Sequence, residues 1–145
     1  MNNPGFKFEE HTADVKVRAY GSTIEEAYAQ SAYALITTLS PDLSRISKKR
    51  EKSLTIKAED KEALLFDFLS ELLYIFDVDH LIFSKISIIY IKEIDDGYEL
   101  KAVLNGEKFN KNKHEIGTEV KAITYSYMNI EEKDDRWEIE IVFDI

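Results

Sequence analysis

The sequence predicts an α+β fold: a single domain, residues 1–145, in which two amphipathic helices pack on mostly antiparallel β-sheet. Three observations predict it. Two stretches carry apolar side chains at helical spacing behind N-capping residues. Segments beside them alternate apolar and polar residues with period two. The second half of the chain is strand pattern and turn signal, with no further helical stripe, which segregates helices from strands as an α+β protein does.

Taken in order, Phe6 to Glu9 reads as a short strand. Val15, Val17 and Ala19 then alternate with Lys16, Arg18 and Tyr20, the mark of a half-buried strand that Gly21 ends. Ser22 with Glu25 matches a capping box, and a helix follows whose apolar face holds Ile24, Ala27, Tyr28, Ala32, Leu35 and Leu39. Ser40-Pro41 stops it, because the residue before a proline is pushed out of the helical region. Residues 41–50 read as a polar, basic loop, and Leu54, Ile56 and Ala58 alternate as a strand. Asp60 caps a second helix over roughly Lys61 to Phe76. Its stripe of Leu64, Phe68, Leu72 and Phe76, flanked by Leu65, Leu69 and Leu73, is wide, which puts this helix centrally in the core. Leu81 to Ile94 reads as one long strand or two with a break, and Asp95-Asp96-Gly97 as a hairpin turn into Tyr98 to Asn105. Asn105-Gly106 is another turn signal, and residues 107–118 read as irregular. Val120 to Ile130 and Arg136 to Ile145 form a final hairpin joined through Glu131 to Asp135.

Composition bounds the function. A chain of 145 residues with 44% hydrophobic content can build one real core. A domain of this size buries about 70% of the surface exposed by its unfolded chain. There is no cysteine, which excludes disulfides and thiolate zinc sites and suits a reducing compartment. The opening MNNPGFKFEE lacks the basic and apolar regions of a signal peptide, and no apolar run reaches the ~20 residues of a membrane span. The chain therefore reads as cytoplasmic. Its 19 Lys and Arg stand against 28 Asp and Glu, a net charge of −9 that repels phosphate backbones and attracts divalent cations. Direct RNA binding is disfavoured on this count, and a basic protein partner is favoured. The basic run Lys48-Lys49-Arg50 reads first as a solvated loop, with contact to RNA or a partner as the lesser alternative.

Familiar catalytic motifs are missing. There is no phosphate-cradling glycine loop, no GxSxG, and no HExxH among His11, His80 and His114. Asp77 and Asp79 lack the glycine and closing glutamate of a calcium loop. What remains is a carboxylate constellation. Asp14 is out of phase with Val15, Val17 and Ala19, and Asp144 is out of phase with Trp137, Ile139, Ile141 and Phe143. If the two strands are neighbours, Asp14, Asp144 and the carboxylate of Ile145 converge. Converging carboxylates resist ionisation unless a cation joins them, and a hard cation with oxygen ligands suits the set. By pattern alone, however, aspartates at strand ends are ordinarily just solvated.

The residues also resemble the archease family. The resemblance rests on Phe8-Glu9-Glu10-His11-Thr12-Ala13-Asp14-Val15 with Gly21 and Glu25-Glu26-Ala27, then Glu62-Ala63-Leu64-Leu65 and Leu69-Ser70-Glu71-Leu72-Leu73-Tyr74. It continues through Gly106-Glu107, His114 and Glu119-Val120-Lys121-Ala122-Ile123-Thr124-Tyr125 to the ending Val142-Phe143-Asp144-Ile145. The blocks run in order over nearly the whole chain; Ser126 departs from them, where many members have histidine. The resemblance implies a non-enzymatic activator of an RtcB-type RNA ligase in tRNA splicing, promoting guanylylation of the ligase histidine and multiple turnover. Contact with tRNA exons would be indirect, through the ligase. It implies a divalent metal site at Asp14, Asp144 and Ile145, with Ca²⁺ first and Mg²⁺ or Mn²⁺ as alternatives. Lys121 and His11 are carried as activity-related candidates. The competing expectations are a chaperone-like modulator protecting RNA-processing or RNA-modifying enzymes from aggregation and, last, a metal-dependent hydrolase with His11 as base.

Overall fold

The computed structural model describes residues 3–9 and 14–145. The described residues form seven strands, β1 (Gly5–Glu9), β2 (Asp14–Gly21), β3 (Arg50–Ala58), β4 (Leu81–Ile94), β5 (Gly97–Lys108), β6 (Ala122–Lys133) and β7 (Arg136–Asp144). Two helices, α1 (Ile24–Leu39) and α2 (Lys61–Asp79), and a single 3₁₀ turn at Leu43–Arg45 complete the described fold. The strands form two sheets, β1-β2-β7-β6 and β3-β5-β4, and every pairing is antiparallel. The expected α+β class therefore holds.

The helices form a layer between the sheets. α1 packs against β1, β2 and β7 on one side and β4 on the other, and α2 packs against β6 on one side and β3, β4 and β5 on the other. This is why the apolar stripe of α2 is wide: Leu64, Leu65, Phe68 and Leu69 are all fully buried, facing both sheets. Two tyrosine hydroxyls of α1 tie it to its neighbours, one to α2 and one to β4. Tyr28 donates to the Lys61 carbonyl at 2.6 Å, and the Ile86 N–H donates to the Tyr33 hydroxyl at 2.9 Å.

Local chemistry explains the boundaries, with four corrections. The α1 cap is shifted by one residue from the expected Ser22 and Glu25: Thr23 is the N-cap, its hydroxyl accepting from the Glu26 N–H at 3.1 Å, while the Glu26 carboxylate accepts from the Ser22 N–H at 2.7 Å. Both residue pairs have the right spacing, so the pattern alone could not choose between them. α2 is capped by Asp60 as expected but runs on to Asp79, where His80 takes a left-handed conformation at φ 56° and closes the last turn. Asn105-Gly106 is not a turn. β5 passes straight through it, because Gly106 lies where the β4 backbone approaches closely: a Cβ there would stand 1.9 Å from the Ile82 carbonyl oxygen. The last hairpin, expected to turn through Glu131 to Asp135, turns more tightly: β6 runs on to Lys133, and only Asp134 and Asp135, both at positive φ, form the two-residue loop.

Candidate functional site at the carboxylate end

β2 and β7 are neighbours, and their register settles which residues meet. Val15, Val17 and Ala19 pair with Phe143, Ile141 and Ile139, the set that enters the core. The opposite parity puts Lys16, Arg18 and Tyr20 across from Val142, Glu140 and Glu138 on the outer face, and on that face Asp14 faces Asp144 directly. Arg18 stabilises the same outer column by donating from Nη2 to Glu140 at 2.7 Å and reaching Glu9 of β1 at 3.1 Å.

Asp144 sits on a central strand at this edge, with Asp14 on one side and Ala122, the first residue of β6, on the other. Lys121, one residue earlier, donates its N–H to the Asp144 carbonyl at 2.8 Å, and its side chain is exposed. Ile145 follows at 37% exposure. Asp14, Asp144, Ile145 and Lys121 are therefore brought to one edge; His11 lies outside the described residues.

Beside Asp14 runs an open cleft of about 460 Å³ lined by Phe8, Glu9, Thr37, Thr38 and Thr118 among others. Its wall is the end of α1, whose last carbonyls need partners. The loop leading into β6 supplies them: Gly117 N–H donates to Leu39 O at 2.9 Å and Thr118 N–H to Thr38 O at 2.8 Å. Gly117 is required for that approach, since a Cβ would lie 2.2 Å from the Thr38 oxygen.

Two directly opposed carboxylates, with main-chain oxygens beside them, form a hard oxygen donor set that fits Ca²⁺ or Mg²⁺ better than a soft metal. Among the described residues no three His, Cys, Asp or Glu side chains gather as a metal cage. The fit is thus to an ion that keeps several of its other ligands as water or as groups brought by a partner.

Two further constellations fall on residues of the family blocks to which the sequence assigned no role. The first surrounds Glu107, 8% exposed, and His114, 2% exposed. Asn110 N–H donates to His114 Nδ1 at 2.9 Å, so the ring proton belongs on Nε2, which donates to Glu107 at 2.8 Å. Lys113 Nζ reaches the same carboxylate at 2.7 Å and the Ser47 N–H donates to it at 2.8 Å. Burial pushes the Glu107 carboxyl up, but the Lys113, Ser47 and His114 donors outweigh it and hold the group at about 2. The second is a bulge in β6. Thr124 pairs with Val142 and Asn129 with Glu140, so four residues of β6 oppose a single residue of β7. Tyr125 and Tyr127 project there at 54% and 64% exposure; Tyr125 stacks on Phe66 with centroids 4.3 Å apart, and Tyr127 holds φ 57°. Ser126 lies exposed between them.

Residues 6–145 match the model of the Archease protein family. The protein archease of Methanosarcina mazei is 39% identical over 147 residues, covering 100% of both chains. That of Pyrococcus furiosus is 44% identical over 137 residues, 94% of this chain and 95% of the relative. The solution structure of Methanobacterium thermoautotrophicum protein 1598 superposes with a TM-score of 0.85 at 35% identity, over 97% of this chain and 99% of that one. The crystal structure of an archease from Thermotoga maritima, described as a possible chaperone, superposes with a TM-score of 0.62 at 25% identity, over 100% of this chain and 98% of that one. No helix among the described residues is long and apolar enough to cross a membrane.

Proposed function

Because the chain belongs to the archease family, we propose that it is a non-enzymatic, metal-bearing activator of an RtcB-type RNA ligase in tRNA splicing. The observation that carries the reading is Asp14 facing Asp144 across β2 and β7 at a solvent-reachable edge. Asp14, Asp144 and main-chain oxygens of Ile145 would hold a divalent ion, Ca²⁺ before Mg²⁺ or Mn²⁺. When bound, such an ion supplies positive charge to phosphate oxygens at a nucleotidyl-transfer site.

The chain's own residues do the rest. β2 and β7 fix the two carboxylates at opposed positions, so little ordering is needed when a partner arrives. Lys121, anchored through its backbone to Asp144, extends an ammonium at the same edge, suited to a phosphate or to a carboxylate of the ligase. The acidic balance of the chain favours docking on a basic, RNA-binding partner.

The test incubates the protein with its cognate ligase, GTP and Mn²⁺ at RNA excess and follows ligase guanylylation and joining. Wild type should support many turnovers, and Asp14→Ala and Asp144→Ala should lose both the stimulation and calorimetrically measured Ca²⁺ binding. Undiminished stimulation by both variants would refute the carboxylate mechanism. A second reading, a chaperone-like modulator, draws support from exposed apolar side chains such as Tyr74, Val78, Ile89 and Ile116, and from the description of the Thermotoga maritima relative. It predicts protection of several client proteins from aggregation, unaffected by the same two variants.

A further inference from the structure

The net charge of −9 is not spread evenly. Residues 45–52 and 107–113 carry eight of the 19 Lys and Arg but two of the 28 Asp and Glu, a local balance of +6 that leaves −15 on the rest of the chain. The fold brings the two segments together. Arg50 pairs with Gly106 where β3 meets the end of β5, Lys113 Nζ bonds the Ser47 hydroxyl at 2.9 Å, and Arg45 donates to the Lys113 carbonyl at 3.3 Å. Between them lies a cleft of about 330 Å³ whose cations are Lys49, Arg50, Lys108 and Lys113.

The cleft has a built floor. Glu107 is the carboxylate inside it, and its charge is already met by Lys113 and by the Ser47 and His114 donors. Lys49 stands 4.0 Å from that carboxylate with its side chain 72% exposed, a loose pairing in solvent that holds it weakly. Arg50 and Lys108 are exposed as well. The cations at the rim thus remain available to an outside anion.

We propose that this cleft binds the phosphate backbone of a single RNA strand, without sequence preference. Charge complementarity identifies the ligand class, since rows of Lys and Arg neutralising phosphates supply most of sequence-independent nucleic-acid affinity. The lining argues against a protein partner. It holds Asn110 and His114 beside the charged residues and no aliphatic, tyrosine or tryptophan anchor of the kind that protein interfaces place at their centres. The absence of an aromatic stacking platform from the same lining is why no base reading is assigned. The loop that carries Lys111 and Lys113 continues through Gly117, bonded to the end of α1, to Lys121, whose N–H bonds the Asp144 carbonyl, so a single loop connects the cleft to the edge that bears the opposed carboxylates. The cations identify a nucleic-acid phosphate backbone, and the choice of RNA rests on the ligase reading; the binding measurement itself needs no ligase, so the two can fail separately.

The test is fluorescence anisotropy of a labelled single-stranded RNA of about 12 nucleotides, titrated at several salt concentrations from about 50 mM upward. With about three phosphates neutralised, the slope of log affinity on log salt should be about −2. Lys49→Glu with Arg50→Glu should weaken binding at least about tenfold and flatten the slope. Lys92→Glu with Lys133→Glu, the same charge change at the opposite ends of β4 and β6, should stay within about threefold of wild type. Circular dichroism melting of each variant confirms that it is folded. Equal weakening by the two pairs, no binding by wild type at the lowest salt, or stronger capture of polyglutamate or of phosphatidylserine vesicles than of RNA would each overturn the proposal.

Discussion

Glu107→Gln tests whether the buried carboxylate under the basic cleft stabilises the fold as an anion. The carboxyl is held at about 2, against an ordinary value of 4.5, in spite of the burial that pushes it the other way. A depression of that size corresponds to about 3 kcal/mol favouring the ionised form, and solvent around Lys113, whose side chain is 41% exposed, trims it to about 2–3 kcal/mol. The folded-state value lies below the unfolded one, so this stability is fully present above about pH 5 and disappears as pH falls from 4.5 towards 2. At neutral pH the variant should melt about 5–10 °C below wild type. Urea unfolding followed at neutral pH and down to about pH 3 should show the gap between the two proteins closing in acid. A gap of constant size across that range would refute the reasoning, because the loss would then stem from packing or geometry and not from the charge.

Two further substitutions test the backbone. Gly106→Ala forces a methyl against the Ile82 carbonyl and the Phe83 Cα, backbone atoms of a paired strand that have no room to move. It should cost about 3 kcal/mol or prevent soluble expression, and a melting temperature within a degree or so of wild type would show that the β4–β5 approach is looser than described. Asp60→Ala removes the acceptor of the Ala63 N–H, a bond of 2.7 Å, and should cost about 1 kcal/mol, whereas Asp60→Asn retains most of the cap. Equal losses for the two variants would mean that the charge of Asp60, not its hydrogen bond, supports α2.

Most elements were legible because their signals are local. Strand parity at Val15–Ala19 and Trp137–Phe143, the Asp60 cap and the Asp95-Asp96-Gly97 turn each depend on a few consecutive side chains, and each stands where its pattern lies. Asn105-Gly106 misled for the opposite reason. Glycine there serves a neighbour far along the chain, the β4 backbone, and a local pattern has no access to that neighbour. The β6 bulge was hidden likewise: Tyr125, Ser126, Tyr127 and Met128 continue a strand-like composition, and only the pairing with β7 reveals that they outnumber their partners. The division of the strands into two sheets around a helix layer rests on which strand lies beside which, a property periodicity does not encode.

The same limit shaped the reading of the site. Parity placed Asp14 and Asp144 on outward faces, but their meeting was conditional until β2 and β7 proved to be neighbours in the one register that opposes them. For the basic cleft the sequence was more misleading. The run Lys48-Lys49-Arg50 is an ordinary solvated loop until Lys108, at the end of the neighbouring strand β5, and Lys113, in the loop that follows, arrive beside it, and a chain-wide −9 conceals them all. Net charge argues about long-range encounter, where the whole molecule acts as one anion, yet at contact only charges within about a Debye length, ~8 Å at physiological salt, are felt. A ligand approaching the Lys49–Lys108 cleft meets a cationic surface, while one approaching Asp14 and Asp144 meets carboxylates. One chain holds both: the acidic body limits adsorption of nucleic acid from a distance, while the cleft presents cations to a strand already at contact.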